Sequence, residues 1–430
     1  MSRKIGIHHR VKQTADGEAH PTRVVIIEGD EVTNYELPDD TSELDFVRGV
    51  FPIKFRQIDP QESLIGFLPH HIKEGHGDKP GKVPAEYIGL KTGDMVAMVL
   101  GGSGDRFAAA LSRRGDDIGA QVYRIPPAVF KQHRGDADKA QDAETLARLL
   151  DEQPELFYYT GPRERDIILI KALLMARQDA MKARIGCEQR LRQQVIGSCF
   201  LREDGFYPEG TIEAVFQTAK ADSTILQSLM AEEKRATRDL QKAVRNLDVW
   251  TEIFGPITGV GEVLAAGLIA AIGDVRRFRV EPDYSGLDDG DEDGRRYRRM
   301  QARNRSRAKL KAFCGVHLLK DGRFPRRRSG EIANWHPDAR QALYQIVEQF
   351  NRRPQSEWGQ RLLSIKANLQ AKHPEPEVIE GKTRWNPGHI HKTALWRTAT
   401  RFVEHLYSDW YRLEIQARAE DEDSDGAVAS

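Results

Sequence analysis

The chain has 430 residues, and its 65 Lys and Arg balance 65 Asp and Glu, so it is 30% charged with no formal net charge. No run of 18 uncharged apolar residues occurs and Ser2-Arg3-Lys4 opens no apolar stretch, so neither a membrane span nor a signal peptide is expected, and the expected location is the cytoplasm. Three cysteines (Cys187, Cys199, Cys314) without CxxC spacing exclude a disulfide framework and a zinc knuckle.

In chain order, Ile5–Ile7, Thr22–Ile27 and Val32–Leu37 read as strands, the last two joined at a Gly-Asp turn. Met95–Leu100 reads as a strand ending in Gly101-Gly102-Ser103-Gly104 before a helix over Phe107–Arg114. Gln121–Ile125 is a strand stopped by Pro126-Pro127, and Asp138–Leu150 a helix. This alternation predicts an α/β domain over 1–150 with a partly parallel sheet. A helical arm over 151–252 follows. Ile167, Ile170, Leu174, Met181 and Ile185 recur at helical spacing, Gly205–Gly210 breaks the pattern, and Leu226, Leu229, Ala236, Leu240, Ala243 and Leu247 form a heptad seam. Neither stripe can stay exposed, so the arm is a coiled-coil hairpin or a dimer arm.

An all-α domain is expected over 253–415, with a charged insertion at 281–311, and a disordered acidic tail over 416–430. Gly259 and Gly261 open the apolar helix Val263–Ile272, a layout able to offer backbone N–H groups to a phosphate. Leu395, Phe402, Leu406 and Trp410 share one face of a last helix, which reads as core. Residues 281–293 hold seven acids, Asp289 among them, and 420–430 five more. Setting those twelve aside leaves 53 acids against 65 bases. Fourteen of the bases fall within 295–328, including Arg295, Arg296, Arg298, Arg299, Arg303, Arg305, Arg307, Lys309, Lys311, Arg326, Arg327 and Arg328. A stripe of that density is the footprint of a polyanion.

Other patterns carry less. His70, His71 and His76, with Glu74 and Asp78, have chelating spacing, but flanking Gly and Pro read as a loop and no metal is expected there. The turn at 101–104 lacks the Lys-Ser/Thr ending of a phosphate loop.

Two groups of segments carry a family resemblance. The strand, Gly-rich turn, FAAALSRRG, the strand in AQVYRIPPAVFKQHRG, and DKAQDAETLARLL resemble the second half of the RuvC-like (RNase H-like) domain of DEDD-type transposases, which a bridge RNA guides. FGPITGVGEVLAAGLIAAIGDVRRF, LKAFCGVHL, GEIANWHPDARQALY and HKTALWRTATRFVEHLY are similar to the C-terminal transposase domain of that group, and the helices between to its coiled coil. The resemblance spans residues 5 to 412 and implies acids from separate segments holding two Mg²⁺ ions for strand cleavage. This sequence has His8, followed by His9, at the first acid position, Gly101 at the second and Lys139 at the third. Asp142 alone matches.

Candidates for a compensated Mg²⁺ nuclease site are therefore Asp105, Asp138 and Asp142. The nucleophilic serine of the family precedes the helix near Arg340; here Ile332–Asp338 holds no hydroxyl, and the nearest is Ser329. That change, the basic insertion and WNPGHIHKTALW (Trp385–Trp396, with Lys392 and Arg397 as phosphate-binding candidates) resemble the Tas proteins of tandem interspaced guide RNA systems. Their C-terminal portion is Nop-like. The resemblance implies a protein that holds a structured guide RNA, targets complementary DNA without cutting it, needs no cofactor and dimerises through the arm. Its rivals are an active Mg²⁺-dependent nuclease or recombinase, and an inert derivative acting as a DNA-binding repressor.

Overall fold

The computed structural model describes residues 3–10, 20–59, 61–75, 80–135, 138–204, 209–288, 290–327, 330, 333–379 and 382–428. His76, Asp78, Asp289, Arg328 and Ser329, singled out above, lie outside the described residues. The chain divides into two compact units, Met1–Ile168 and Leu169–Ser430.

The N-terminal unit is built on a six-stranded mixed sheet. β1 (Lys4–His8) pairs antiparallel with β2 (Thr22–Glu28), and β2 with β3 (Glu31–Leu37). The turn between β2 and β3 is two residues long, and Gly29 supplies the positive φ of +62° that such a turn needs. α1 (Asp40–Arg48) is capped by Asp39, which accepts from the Ser42 N–H, and is stopped by Gly49 in the left-handed region. β4 (Phe51–Gln57) and β5 (Lys82–Ile88) form a separate antiparallel pair. β6 (Met95–Val99) then lies parallel beside β1. α2 (Asp105–Ile118) leads to β7 (Gln121–Ile125), parallel to β6. α3 (Pro127–Arg134), α4 (Asp142–Glu152) and the edge strand β8 (Tyr158–Tyr159) complete the unit.

Alternation along the strands supplies two cores. Ile5, Ile7, Val96, Met98 and Val122 point to one face and pack with Phe46 of α1 and Phe107 and Leu111 of α2. Ala97 and Ile125 point to the other, against Phe130, Leu146 and Leu150 of α3 and α4. α4 crosses β1 so closely that a Cβ on Gly6 would overlap the Ala143 carbonyl oxygen.

The chain leaves this unit within α5 (Pro162–Phe200). In the C-terminal unit α6 (Ile212–Asp222) and α7 (Thr224–Arg245) return along it. Arg184 of α5 pairs with Glu233 of α7 (2.6 Å), Lys220 of α6 reaches Glu188 of α5, and Arg177 donates to the Thr237 hydroxyl (3.2 Å). The seam residues Leu226, Ala236, Leu240 and Leu247 are buried within this one chain.

α8 (Glu262–Ile272), α9 (Glu292–Phe313), α10 (Pro337–Arg352), α11 (Glu357–Lys372), the short β9 (Glu377–Ile379) and β10 (Lys382–Arg384), and α12 (Pro387–Val428) make the rest. Phe254, Phe350, Trp358 and Phe402 interlock at centroid distances of 5.1 to 6.5 Å, and Trp410 is fully buried. Leu395, Phe402, Leu406 and Trp410 are core, as their spacing indicates. The basic run 295–311 lies in helix α9. One stretch differs from expectation: α12 runs through most of the acidic tail, as far as Val428. No helix among the described residues is long and apolar enough to cross a membrane.

Replacing Gly6 by Ala forces α4 off β1. Urea unfolding is expected to show a loss of about 3 kcal/mol or more, against less than about 0.5 kcal/mol for Ala at exposed Gly210, where a Cβ meets nothing.

Candidate nucleic-acid interface

Two places in the molecule hold the residues that the sequence singles out. The first is the end of the sheet where β1, β6 and the start of α4 meet. Asp142, buried at the head of α4, is bound by a cation: Arg134 Nη1 donates to its Oδ2 (3.3 Å), and the His8 imidazole Nε2 lies 3.9 Å from the same oxygen. Burial holds the His8 imidazole below its ordinary pKa against the pull of Asp142, with Arg23 and Arg134 adding to the lowering. Lys139, the residue at the third acid position, contributes its backbone to His8, and the cation that sits on Asp142 is Arg134.

Asp105 accepts from the Gly101 N–H (2.9 Å) and from Arg124 (3.0 Å), fixing the Gly-rich turn to β7. Asp138 is exposed and caps the short turn Lys139–Gln141 through the Ala140 N–H. Each acid has its own structural task, and the three do not form a ligand group among the described residues. His9 bridges Ser103 Oγ (Nδ1, 2.9 Å) and Glu43 (Nε2, 3.2 Å). Burial alone would raise the Glu43 carboxyl, but hydrogen bonds from His9 and Thr22 hold it below the usual range. Mg²⁺ needs several oxygen ligands in near-octahedral array. One carboxylate already carrying a guanidinium, beside an imidazole, does not fit that ion.

The second place is a cavity of about 940 Å³ in the C-terminal unit. Its floor begins at Gly315, whose φ of +66° and missing side chain leave room for the Trp335 indole; a Cβ there would come within 2.7 Å of the ring. His336 caps α10, its Nδ1 accepting from the Ala339 N–H, and so turns the chain from Trp335 into the helix. One turn on, the Arg340 guanidinium lies between Trp335 (4.7 Å) and Trp396 of α12 (4.6 Å). Each face of that sandwich contributes about 0.5 to 2 kcal/mol. Burial lowers the Arg340 pKa, and its Nη1 has no hydrogen-bond partner.

The far wall comes from the start of α12. Asn386 caps it by accepting from the His389 N–H (2.8 Å), and Pro387 occupies the first turn, where no N–H is needed. Trp385 is held at φ +59°, a conformation that costs a bulky residue about 1 to 3 kcal/mol, by donating its N–H to His389 Nδ1 (3.1 Å) and stacking flat on His373 at 3.7 Å. His389, Lys392, Thr393, Trp396 and Arg397 then share one face of α12 at spacings of three and four. The loop 319–327 closes the cavity with Phe324, Arg326 and Arg327.

Charge sets the chemistry here. Arg323, Arg326, Arg327, Arg340, Arg384, Lys392 and Arg397 line the space, and Asp321 is the one acid among the lining residues. Arg326, Arg327, Lys392 and Arg397 form no ion pair with other described residues. Cations in excess beside half-buried indole faces suit phosphates and stacked bases, since bases offer a π face whatever their identity.

The structure thus brings Arg326, Arg327, Lys392 and Arg397 together and leaves the rest of the basic stripe elsewhere. On α9, Ala302, Ser306 and Leu310 face inward and Arg296, Arg299, Arg303, Arg305 and Lys309 face solvent. Arg307 is bound to Ser408 and Lys311 to Glu404, Arg295 lies over Tyr284, and Arg298 is half-buried. At the turn before α8, Glu262 occupies the helix N-terminus and pairs with Arg245, so Gly259 and Gly261 lead into an end that already holds an anion. Sequence reasoning missed Arg340, Arg384 and the three lining tryptophans. The available signal was the adjacency of Arg384 to Trp385 and of Arg397 to Trp396.

No protein-family model matches the chain, and no curated protein matches it.

Burial pushes His317, His336 and His389 below the ordinary value of 6.5, with Arg340 adding to the first and Arg384 and Arg326 to the last; for His336, Arg277 adds to the lowering against Asp338. The folded state therefore binds fewer protons than the unfolded state below about pH 6.5, and stability falls as pH drops through that range. Urea midpoints are expected to fall between pH 7.5 and 5.5, and His336→Asn, which keeps a capping side chain, to reduce the fall.

Proposed function

We propose that this chain is a guide-RNA-dependent DNA-binding protein that holds a structured RNA in its C-terminal unit and cuts neither strand. The observation that carries this reading is the cavity between the 319–335 segment and α12, where unpaired cations and three indoles converge. A free cytoplasmic anion would meet too many positive charges spread over too large a space, whereas an RNA strand supplies phosphates and bases at once. The exposed bases of α9 extend the contact to backbone, and DNA sequence is read by pairing with the guide.

The same reading places the N-terminal unit in the RuvC-like lineage. In its support, β1, β6 and the start of α4, the segments from which such a domain draws its acids, lie side by side. Arg134 on Asp142 speaks for recognition without hydrolysis. Dimerisation through the arm belongs to the proposal as well, on the strength of the apolar Met175, Ile225 and Met230 that the hairpin leaves exposed. The C-terminal unit is read as Nop-like.

Purification at low salt, from cells carrying the DNA that flanks the gene, is expected to yield one short structured RNA; a random sample of cellular RNA would sink the reading. In filter binding with that RNA, the double variant Arg326→Ala/Arg327→Ala is expected to lower the slope of log K against log salt by about 1.4, two single-strand phosphate contacts.

A further inference from the structure

We propose a transition-metal site in the N-terminal unit, made by Asp45, His70 and His71 and suited to Zn²⁺. Asp45 sits in α1 immediately before Phe46 and Val47 of the core, so its carboxylate is rigidly placed and only 3% exposed. The short turn Pro69–His71, in the segment between β4 and β5, carries the two histidines. Although adjacent in sequence, both aim Nε2 at the same oxygen: Asp45 Oδ2 is 2.8 Å from His70 and 2.7 Å from His71. The three ligand atoms lie within 4.8 Å of one another, and no other group of this kind occurs among the described residues.

A further atom points to a ligand beyond the hydrogen-bonded cluster. Asp45 Oδ1 is buried without a hydrogen-bond partner. A carboxylate placed to fix two imidazoles would ordinarily have its second oxygen satisfied too. A dication drawn in between the rings uses Oδ2, leaves Oδ1 free to join it, and relieves the buried charge of the acid. Tetrahedral Zn²⁺ holds N and O ligands about 2.0 to 2.2 Å from the ion, which sets them roughly 3.4 Å apart. The present spacing reaches that by opening about 0.6 Å, well within a side-chain rotation. Two imidazoles and one carboxylate favour Zn²⁺ over Mg²⁺. His71 is buried beside Tyr87 of β5, while His70 is 42% exposed and marks the way in, leaving a fourth position to water. The bound ion ties the 51–88 segment to α1. The proposal departs from the expectation, drawn from spacing alone, that no metal binds near His70. The partner that completes the set, Asp45, is 25 residues upstream and invisible to a local motif.

The test uses the full chain, stripped with a chelator and titrated with Co²⁺. One equivalent per chain is expected to develop the visible bands of tetrahedral Co²⁺ and to lose them to Zn²⁺. Asp45→Asn and His70→Ala are each expected to weaken binding at least ~10-fold. His70 is exposed, so its variant keeps the fold, as circular dichroism would verify. Zn²⁺ should raise the thermal midpoint of the parent chain and not that of Asp45→Asn. A Co²⁺ spectrum that stays that of the hydrated ion, or equal affinity in parent and both variants, overturns the site. RNA retention reports on the C-terminal unit and is expected to be the same with or without the metal.

Discussion

A guanidinium withdrawn from water must find a polar partner such as a carboxylate or an aromatic face, and the N-terminal sheet and the C-terminal cavity meet that constraint in opposite ways. In the N-terminal unit the half-buried and buried arginines are matched to acids: Arg3 to Asp94 (2.6 Å), Arg124 to Asp105 and Arg134 to Asp142. These pairs fix the sheet ends and consume the carboxylates that a hydrolytic metal site would need. In the C-terminal unit Arg340 is held by Trp335 and Trp396, and among the described cations around it Arg323 alone pairs with the one lining acid, Asp321 (3.5 Å). On the proposed reading, the excess positive charge there is balanced by an entering polyanion.

The acidic half of the charged insertion has a local role in the same scheme. Asp291 caps α9 by accepting from the Gly294 N–H (2.8 Å), Glu292 and Asp293 fill its first turn, and Arg298 and Arg305 help hold the Asp283 carboxyl low, after its bonds from Ser285. The acids that neutralise the chain overall therefore stand at the start of the very helix that carries the basic stripe.

Much of this was legible from residues alone. β1, β2, β3, β6 and β7 follow alternation or short apolar runs between turn residues, and α5, α7 and α8 follow helical spacing, so local patterns suffice for them. β4 and β5 escaped because Phe51-Pro52-Ile53-Lys54-Phe55 interleaves a proline and charges with its apolar residues, and α9 because its inward face is only Ala302, Ser306 and Leu310. The departure from the resembled acid pattern was legible in kind but not in agent: Lys139 marks it, yet Arg134, five residues earlier, puts its charge on Asp142. The cavity was half legible. Its arginines stand in a visible run, but the tryptophans that shape it come from segments 50 and 61 residues apart, Trp335 to Trp385 and Trp396, and no single-segment pattern joins them.

Photocrosslinking of the copurified RNA, followed by mass spectrometry of the attached peptides, tests the central claim most directly. The account predicts adducts on the peptides holding Trp335, Trp385 and Trp396, reduced when Arg326 and Arg327 are replaced. Adducts confined to the N-terminal unit, with those three tryptophans unmodified, would contradict it.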